Sequence, residues 1–369
     1  MAVYKLFPDK DAFIFTEDNL ANTGLDEILE IGGFPILGVG QASRALIKFS
    51  TTEIQSIYDL ASGSAVSASL KLSLADAYET PTSHSIYAYP VYQYWDQGIG
   101  KFGDVPQDTS GTSWKHNKAG LSEDWEIPLN DVLPAGVTAS YNSDFPGGGN
   151  WYFESSSINL EASQSFEAKS KLDLDFDVTN AVELHFSESL DNNGFLVKLD
   201  DSLEFSTDYV LRHKYFSSDT NTIYPPVLEL KWDDSAYSTD LTEIDSTETI
   251  VQVSNNIGEY KDEGKARFRL LVRPRFPQRQ FTTSSIYKTK YALPQDSYWG
   301  IKDEFTEEMI IDFDNQFTKI SCDGDSPYFD IHMDGLQPER YYRILIKTII
   351  DGSTFVISDN NSFKVVRNG

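Results

Sequence analysis

Apolar and polar residues alternate along much of this chain. In the segment 171–178 every second residue is apolar, namely Leu172, Leu174, Phe176 and Val178, and aspartates occupy three of the positions between them. Alternate side chains of a strand point to opposite faces of a sheet, so these four residues would line one buried face. A helix would scatter the same residues around its axis. The pattern therefore predicts a β-strand with one solvated face.

Short segments of the same kind recur along the chain, separated by Gly, Asn, Asp, Ser or Pro. The predicted strands are 13–15, 28–31, 45–49, 68–74, 85–89, 194–199, 266–274, 308–313, 328–333, 341–347 and 362–366. One segment, 54–60, instead predicts a short turn of helix at a sheet edge, and we expect no other helix before residue 232. Strands at this spacing are typical of a β-sandwich or a jelly roll.

The composition supports an all-β protein. The 369 residues include 20 Tyr and 23 Phe but 3 Met, and aromatic residues favour sheets. The length suffices for two or three domains, each with its own core. The single cysteine, Cys322, cannot close an intrachain disulfide. No segment predicts a membrane span, and the N-terminus lacks a signal-peptide pattern, so we expect folding in a cytoplasm.

The net charge of −27 limits the choice of partner. A chain this acidic repels phosphate groups, so we expect neither nucleic acid nor an anionic membrane as a partner. The segment 261–290 differs, because it holds nine cations and two anions. Within it Arg267, Arg269, Arg273 and Arg275 recur at even spacing and would share one face of a regular strand. They can contact an acidic surface on a neighbouring subunit or form an ordinary solvated strand.

Long loops rich in Gly, Ser, Asp and Trp are expected between residues 94 and 151. Loops of this length are often functional or are ordered by a partner. In and beside them, Trp95, Trp114, Trp151 and Tyr152 can form a platform on which a sugar ring or a partner protein packs. The alternative is that these aromatic side chains plug the core of the sandwich.

Two acidic groups suggest catalysis or metal binding. Asp173, Asp175 and Asp177 would lie about 7 Å apart along one strand face, which suits a glycoside hydrolase or a cation. The alternative is a solvated face that discourages unwanted sheet pairing. Asp323 and Asp325 can likewise bind calcium or cap a polar turn.

Other catalytic patterns are absent from the sequence. The five histidines show no metal-ligand spacing, no Gly-x-Ser-x-Gly motif occurs, and Cys322 has no activating base beside it. Gly147–Gly149 is followed by neither Lys-Ser nor Lys-Thr, so it is not a phosphate-binding loop. We therefore predict a protein that is not an enzyme, and we assign it no catalytic, cofactor-binding or metal-binding residue.

Nine segments in the first two thirds of the chain follow one another in a characteristic order. They are 11–14, 22–24, 43–49, 94–95, 113–114, 176–182, 192–196, 214–219 and 225–230. This part of the chain resembles the DNRLRE family, a disaggregatase-related β-sandwich counted among carbohydrate-binding modules and found in secreted and surface proteins. The resemblance implies a jelly-roll-like sandwich with an affinity for glycans.

A second motif lies near the C-terminus. Leu336, Pro338 and Tyr341 are spaced as in a Leu-x-Pro-x-x-Tyr sequence, and Asp351-Gly352 forms a turn signal after them. The motif is similar to the tyrosine corner of fibronectin type III domains. That resemblance implies that the hydroxyl of Tyr341 bonds back to the chain as it crosses between sheets.

The whole arrangement resembles structural proteins of tailed bacteriophages. Two features carry this resemblance. The chain is an acidic two-domain β protein with almost no cysteine, and its C-terminal segment from Trp299 to Gly352 is similar to virion proteins of marine T4-like cyanophages. The resemblance implies a place in the virion, with other virion proteins and further copies of this chain as partners.

These observations lead to one prediction for fold and function. We expect an all-β chain with a DNRLRE-like, jelly-roll-like β-sandwich over 1–235, a linker over 236–247 and a smaller immunoglobulin- or fibronectin III-like β-sandwich over 248–369. We expect a non-enzymatic structural component of a tailed-phage virion, in the tail, neck or fibre apparatus, that acts through assembly contacts. The alternative is a carbohydrate-binding module that recognises a host surface.

Overall fold

The computed structural model describes residues 2–78, 83–118, 123–128, 130–140, 142–167, 169–276 and 289–367. Strands predominate in these ranges, which confirms the predicted all-β sandwich fold. The chain divides into two compact units. The N-terminal unit comprises residues 6–60 and 67–229, and the C-terminal unit comprises residues 1–5, 61–66 and 230–369.

The elements up to residue 232 follow in chain order. They are β1 (Ala2–Leu6), β2 (Lys10–Phe15), β3 (Ile28–Ile36), β4 (Val39–Lys48), α1 (Thr51–Ala61), β5 (Val66–Leu72), β6 (Leu74–Tyr78), β7 (Ser83–Pro90), β8 (Val137–Thr138), β9 (Trp151–Tyr152), β10 (Glu154–Ser155), β11 (Ile158–Asn159), β12 (Ala162–Glu167), β13 (Leu174–Asp177), α2 (Thr179–Phe186), β14 (Phe195–Leu199), β15 (Leu211–Phe216) and β16 (Val227–Trp232).

The N-terminal unit is built from two large sheets. An eight-stranded sheet has the order β12-β7-β14-β4-β3-β15-β6, with β2 paired to β4, and a four-stranded sheet contains the neighbours β16, β5 and β13. Burial alternates along β5 and β13, where Leu70, Leu72, Leu174 and Phe176 are buried between more exposed residues. The alternation of apolar and polar residues in the segment 171–178 is therefore seen as alternating burial in β13, which covers the second half of that segment.

Two of the motif segments meet in this unit. The Asp11 carboxylate on β2 accepts hydrogen bonds from the backbone N–H of Ser218 at 2.6 Å and from its hydroxyl at 2.8 Å. Burial raises the pKa of Asp11 to about 7. The two hydrogen bonds fasten the turn after β15 to the start of the large sheet.

Both helices of the N-terminal unit are short and one was not predicted. The predicted turn at 54–60 lies within α1, which buries Ile54 and Ile57. In its first turn the Glu53 N–H donates a hydrogen bond to the hydroxyl oxygen of Ser50, the residue before the helix. The second helix, α2, buries Val182 and His185. This helix has 8 residues, and they include too few apolar positions for a helical periodicity to be recognised in the sequence after the preceding strand.

The remaining elements belong to the C-terminal unit. They are β17 (Thr242–Glu243), β18 (Thr249–Val253), β19 (Glu259–Lys261), β20 (Lys265–Pro274), β21 (Tyr291–Ala292), β22 (Ser297–Asp303), β23 (Met309–Ile311), β24 (Ser321–Cys322), β25 (Pro327–His332), a 3₁₀ turn (Met333–Gly335), β26 (Arg340–Ile350), β27 (Ser353–Ile357) and β28 (Ser362–Val366).

Two sheets of the C-terminal unit enclose one core. The first has the order β18-β20-β25-β24, and the second has the order β19-β28-β26-β22-β23 with β27 paired to β26. Phe268 and Phe329 from the first sheet join Trp299, Ile344 and Phe363 from the second in a single buried cluster. The Trp299 and Phe329 rings stack at 5.3 Å. This is the packing of a small immunoglobulin-like sandwich.

The tyrosine corner is present, but the prediction of Tyr341 was wrong by one residue. The hydroxyl of Tyr342 donates a hydrogen bond of 2.8 Å to the Gln337 carbonyl, and its ring is buried. Tyr341 is exposed and contacts Phe305 edge-on at 6.0 Å. Alternation along β26 places Tyr342, and not its neighbour, on the core face.

The predicted linker, 236–247, is packed within the C-terminal unit. The Ser238 N–H bonds to the Cys322 carbonyl at 2.9 Å, β17 pairs with β21 in parallel, and Ile244 is buried in the core. The polar composition that suggested a linker reflects a short, exposed strand of a two-stranded sheet, which needs few apolar residues.

Candidate functional site

The basic strand predicted from even arginine spacing is β20. Its alternate residues Phe268, Leu270 and Val272 are buried in the core, so the residues between them face outward. The outward set consists of Arg267, Arg269, Leu271 and Arg273. The backbone N–H of Arg275 bonds to the Glu248 carbonyl at 2.7 Å, which extends the pairing with β18 by one residue beyond the strand.

Two of the four arginines are neutralised by their own chain. Arg267 donates to both oxygens of Asp330 at 2.8 and 3.0 Å, and Arg269 donates to both oxygens of Asp323 at 3.1 and 2.8 Å. The hydrogen bonds from Arg269 hold the pKa of Asp323 well below its usual range. Both guanidinium groups also lie over the Tyr328 ring, at 4.2 and 5.5 Å. In this half of the strand the charges of Arg267 and Arg269 are balanced within the chain, and their role in an assembly contact stays a prediction.

The other half of the strand has a different character. Arg273 and Arg275 form no ion pair with any residue in the described ranges. Between the two halves Leu271 is 50% exposed, and beside Arg275 the ring of Phe276 is 71% exposed. Ile250 on the edge strand β18 lies opposite Arg273 in the register. We name Ile250, Leu271, Arg273, Arg275 and Phe276 the basic-apolar patch.

The sequence contains a second signal for this patch, besides the spacing of the arginines at every second position. Leu270 and Leu271 are adjacent apolar residues in an otherwise alternating strand, so one of them has to face outward. The remaining cations of the basic segment include Arg279 and Lys288, which lie outside the described residues.

The predicted aromatic platform is not a surface. Trp95, Trp114 and Trp151 are buried, with Trp95 and Trp114 fully enclosed, so none presents a ring face to a ligand. The Trp95 N–H donates to the Asn193 carbonyl at 2.8 Å, and the Trp114 N–H donates to the Phe145 carbonyl at 3.1 Å. Tyr152 is partly buried and meets Tyr92 edge-on at 5.5 Å. The tryptophans fasten the long loops to the large sheet, which corrects the glycan-platform prediction in favour of its alternative.

A buried ion network explains why the tryptophans are in the core. The Arg44 guanidinium on β4 lies over the rings of Trp114 and Trp151 at 4.8 and 5.3 Å. It donates to both carboxylate oxygens of Glu204 at 2.8 Å each, and Lys198 approaches the same carboxylate at 3.0 Å. All three charged side chains are at most 2% exposed. Arg44 also donates to loop carbonyls, including that of Gly148, so the network joins loop to sheet.

The aspartates of the segment 171–178 have structural partners. Asp173 accepts the N–H of Leu74 at 2.8 Å, Asp175 lies 3.7 Å from the Lys71 amine, and Asp177 accepts the N–H of Thr179 at 3.0 Å. None of these contacts brings the carboxylates together, which favours the solvated-face alternative.

The turn that holds Asp323 and Asp325 is closed by contacts within the chain. Asp323 accepts the N–H groups of Asp325 and Ser326 at 2.8 and 2.9 Å in addition to its bonds from Arg269, and Asp325 pairs with Lys290 at 2.7 Å. No group of three or more His, Cys, Asp and Glu side chains in the described ranges is arranged to hold a metal ion. Burial raises the pKa of the Cys322 thiol.

Comparisons with known proteins add little to this geometry. No family model matches the chain, and no curated protein matches it. The adhesin domain of Epf from Streptococcus pyogenes aligns over 100% of this chain and 80% of its own, at 9% identity and a TM-score of 0.18. A DUF4785 family protein from Legionella pneumophila aligns over 98% of this chain and 66% of its own, at 8% identity and a TM-score of 0.19.

These similarities are too slight to carry an argument about function, and the resemblance to the DNRLRE family and to phage proteins stays a prediction. Among the described residues, no helix has both the length and the apolar character needed to cross a bilayer.

Proposed function

We propose that this protein is a non-enzymatic structural component of a tailed-bacteriophage virion, in its tail, neck or fibre apparatus. On this proposal it is made in the host cytoplasm and is built into the particle through contacts with other virion proteins and with further copies of itself. The observation that carries the proposal is the basic-apolar patch, in which Leu271 is half exposed in the middle of a strand beside Arg273, which forms no ion pair within the described ranges.

The chemistry of the patch suits a protein partner. Exposed apolar side chains on a sheet beside an edge strand favour association, because their contact area is removed from water in the complex. Arginine is enriched in such interfaces, since its guanidinium pairs with carboxylates and packs on apolar groups. The chain carries a net charge of −27, so an acidic surface of another copy or of a similarly acidic virion protein attracts these two arginines.

Substitutions in the patch test its role in assembly. We expect Leu271→Asp combined with Arg273→Glu to lower incorporation into particles about tenfold, because the change removes an apolar contact and reverses a charge. The measurement is the ratio of this protein to the major capsid protein, by quantitative mass spectrometry of particles from a complemented deletion phage. Val356→Asp is the matched control, since Val356 on β27 is 57% exposed in the same unit.

Thermal unfolding of both variants has to be measured beside incorporation. Substitutions at exposed sites usually change stability by no more than about 0.5 kcal/mol, so both proteins should melt as the parent does. Normal incorporation of a folded patch variant would contradict the role of the patch. Absence of the wild-type protein from purified virions would defeat the structural role altogether.

The second candidate function is carbohydrate recognition, proposed from the DNRLRE resemblance. The buried tryptophans cannot serve it, so it requires another exposed aromatic side chain beside polar groups. One groove of the N-terminal unit has that composition. A glycan array probed with the full chain tests this candidate independently of the virion experiment.

A further inference from the structure

A groove on the large sheet of the N-terminal unit shares no residue with the basic-apolar patch or with the buried ion network. Its volume is about 290 Å³, and it opens where β3, β15 and β6 run side by side. The lining residues are Phe34, Pro35, Asp76, Tyr78, Val210, Arg212 and Lys214. They combine an exposed aromatic ring with two cations and one carboxylate.

The register explains why these side chains converge. Tyr78 lies opposite Arg212, and Asp76 lies opposite Lys214, on the neighbouring strands β6 and β15. Cross-strand partners share a face, as do residues two apart in one strand, so all four project to the same side. On the other side of β15 the partner of Arg212 is Gly32. A Cβ atom there would come within 2.7 Å of the Leu211 carbonyl oxygen and 3.3 Å of Arg212 Cγ, so the position beside Arg212 requires glycine.

The Arg212 guanidinium is fixed in place before any ligand arrives. Its Nε and Nη2 donate to the Glu30 carboxylate at 2.8 to 3.0 Å, and its Cζ atom lies 4.2 Å from the centroid of the Phe34 ring. Glu30 is itself buried. Among the described residues, Nη1 has no hydrogen-bond partner, so Arg212 has a rigidly held donor to offer.

Arg212 is paired with Glu30, but the other polar groups that line the groove form no ion pair among the described residues. Lys214 forms no ion pair with any residue of the described ranges, and Tyr78 is 58% exposed. The only hydrogen bond of the Asp76 side chain in those ranges is the one it accepts from the N–H of Ala77. An exposed tyrosine ring suits the apolar face of a pyranose, and a carboxylate oxygen of Asp76 suits a hydroxyl. The Lys214 amine supplies the positive charge for a ligand carboxylate, and Nη1 of Arg212, whose own charge is balanced by Glu30, supplies a further hydrogen-bond donor.

We infer that this groove binds a saccharide that carries a carboxylate, such as a hexuronate or a sialate. The pyranose ring packs on Tyr78, its carboxylate accepts hydrogen bonds from Arg212 and Lys214, and Asp76 accepts one from a ring hydroxyl. The inference gives a location and a ligand class to the second candidate function and does not depend on the virion proposal. Its success or failure therefore leaves the particle-composition experiment unaffected.

The test is calorimetric titration of the full chain with paired oligosaccharides. Oligogalacturonate and sialyllactose are the charged probes, and reduced-charge controls are methyl-esterified oligogalacturonate and lactose. We expect at least one charged probe to bind at least about tenfold more tightly than its neutral counterpart, the difference expected for charge-assisted hydrogen bonds. Acetate alone should not bind measurably, since it cannot use Tyr78.

Two variants test where the ligand binds. Tyr78→Ala should lower the affinity for the charged probe at least about tenfold, and Lys214→Ala should remove most of the difference in affinity between the charged and the neutral probe. Neither change touches the pair formed by Arg212 and Glu30, so both proteins should fold. Tyr94→Ala is the matched control, because Tyr94 is a similarly exposed tyrosine of the same unit that does not line the groove.

Three results would overturn the inference. They are no binding of either charged probe at millimolar concentration, equal binding of charged and neutral probes, or full binding by the folded Tyr78→Ala protein. Loss of binding in Tyr94→Ala instead would place the ligand elsewhere on this unit and would equally reject the groove.

Discussion

Replacing Glu204 by alanine is expected to lower the free energy of unfolding of the N-terminal unit by about 3–5 kcal/mol. The Glu204 carboxylate is fully buried and is the shared partner of Arg44 and Lys198. Removing it leaves two buried cations whose remaining partners among the described residues are carbonyl groups, tryptophan ring faces and Asp201. Urea denaturation followed by tryptophan fluorescence measures the loss, because Trp114 and Trp151 lie against Arg44.

A surface ion pair provides the control for this substitution. Glu123 pairs with Lys118 at 2.5 Å in the same unit, and its side chain is 59% exposed. Water already solvates both charges, so Glu123→Ala should cost less than about 1 kcal/mol. Equal losses from the two substitutions would mean that the buried network is not what holds the loops to the sheet. A Glu204→Gln variant should recover part of the loss, because the amide oxygen still accepts one hydrogen bond.

The network also shows why the sequence predicted the strands but left two alternatives open for the tryptophans. Period-two alternation is a local property, and it located β5, β13 and β20 without knowledge of any partner. The burial of Trp114 depends on Arg44, which is 70 positions earlier in the chain, and on Glu204, 90 positions later. Contacts of that range leave no periodic signal, so an aromatic residue in a loop is equally compatible with a core and with a platform.

The two candidate sites also differ in whether local sequence patterns or long-range contacts form them. The basic-apolar patch lies within one strand and its edge neighbour, so the arginine spacing predicted part of it and the Leu270-Leu271 pair marks the rest. The groove draws its residues from three strands whose order in the sheet is not their order in the chain. No spacing in the sequence relates Tyr78 to Arg212, because only the sheet register brings them together.

The histidines show a further effect of burial that the sequence did not indicate. His84 and His213 face each other with ring centroids 4.9 Å apart, and Phe166 stacks on His84 at 5.1 Å. None of their four ring nitrogens has a hydrogen-bond partner among the described residues. Burial, reinforced by the neighbouring His84, lowers the pKa of His213 from 6.5 to about 4, and burial lowers the pKa of His84 as well.

This pair gives folding stability a defined pH dependence. Below pH 6.5 the unfolded chain takes up a proton at position 213, whereas the folded chain does not until about pH 4. The contribution of His213 to stability is therefore complete above pH 6.5 and is lost as the pH falls toward 4, by roughly 3 kcal/mol. Asp11 acts in the opposite sense, since its folded pKa of about 7 lies above the unfolded value of 3.8. Its contribution is lost as the pH rises from about 4 to 7.

Replacing His213 by phenylalanine should remove most of the acid-side loss contributed by that residue. The new ring keeps the aromatic contacts with Phe166, His84 and Tyr215 and has no nitrogen to protonate. The measurement is the free energy of unfolding in urea at pH values between 7 and 4.5, in an Asp11→Asn background so that the opposing contribution is absent. We expect equal or higher stability at pH 7 and a shallower decline toward pH 4.5. A decline as steep as that of the Asp11→Asn parent would show that His213 is not an acid-sensitive element of the core.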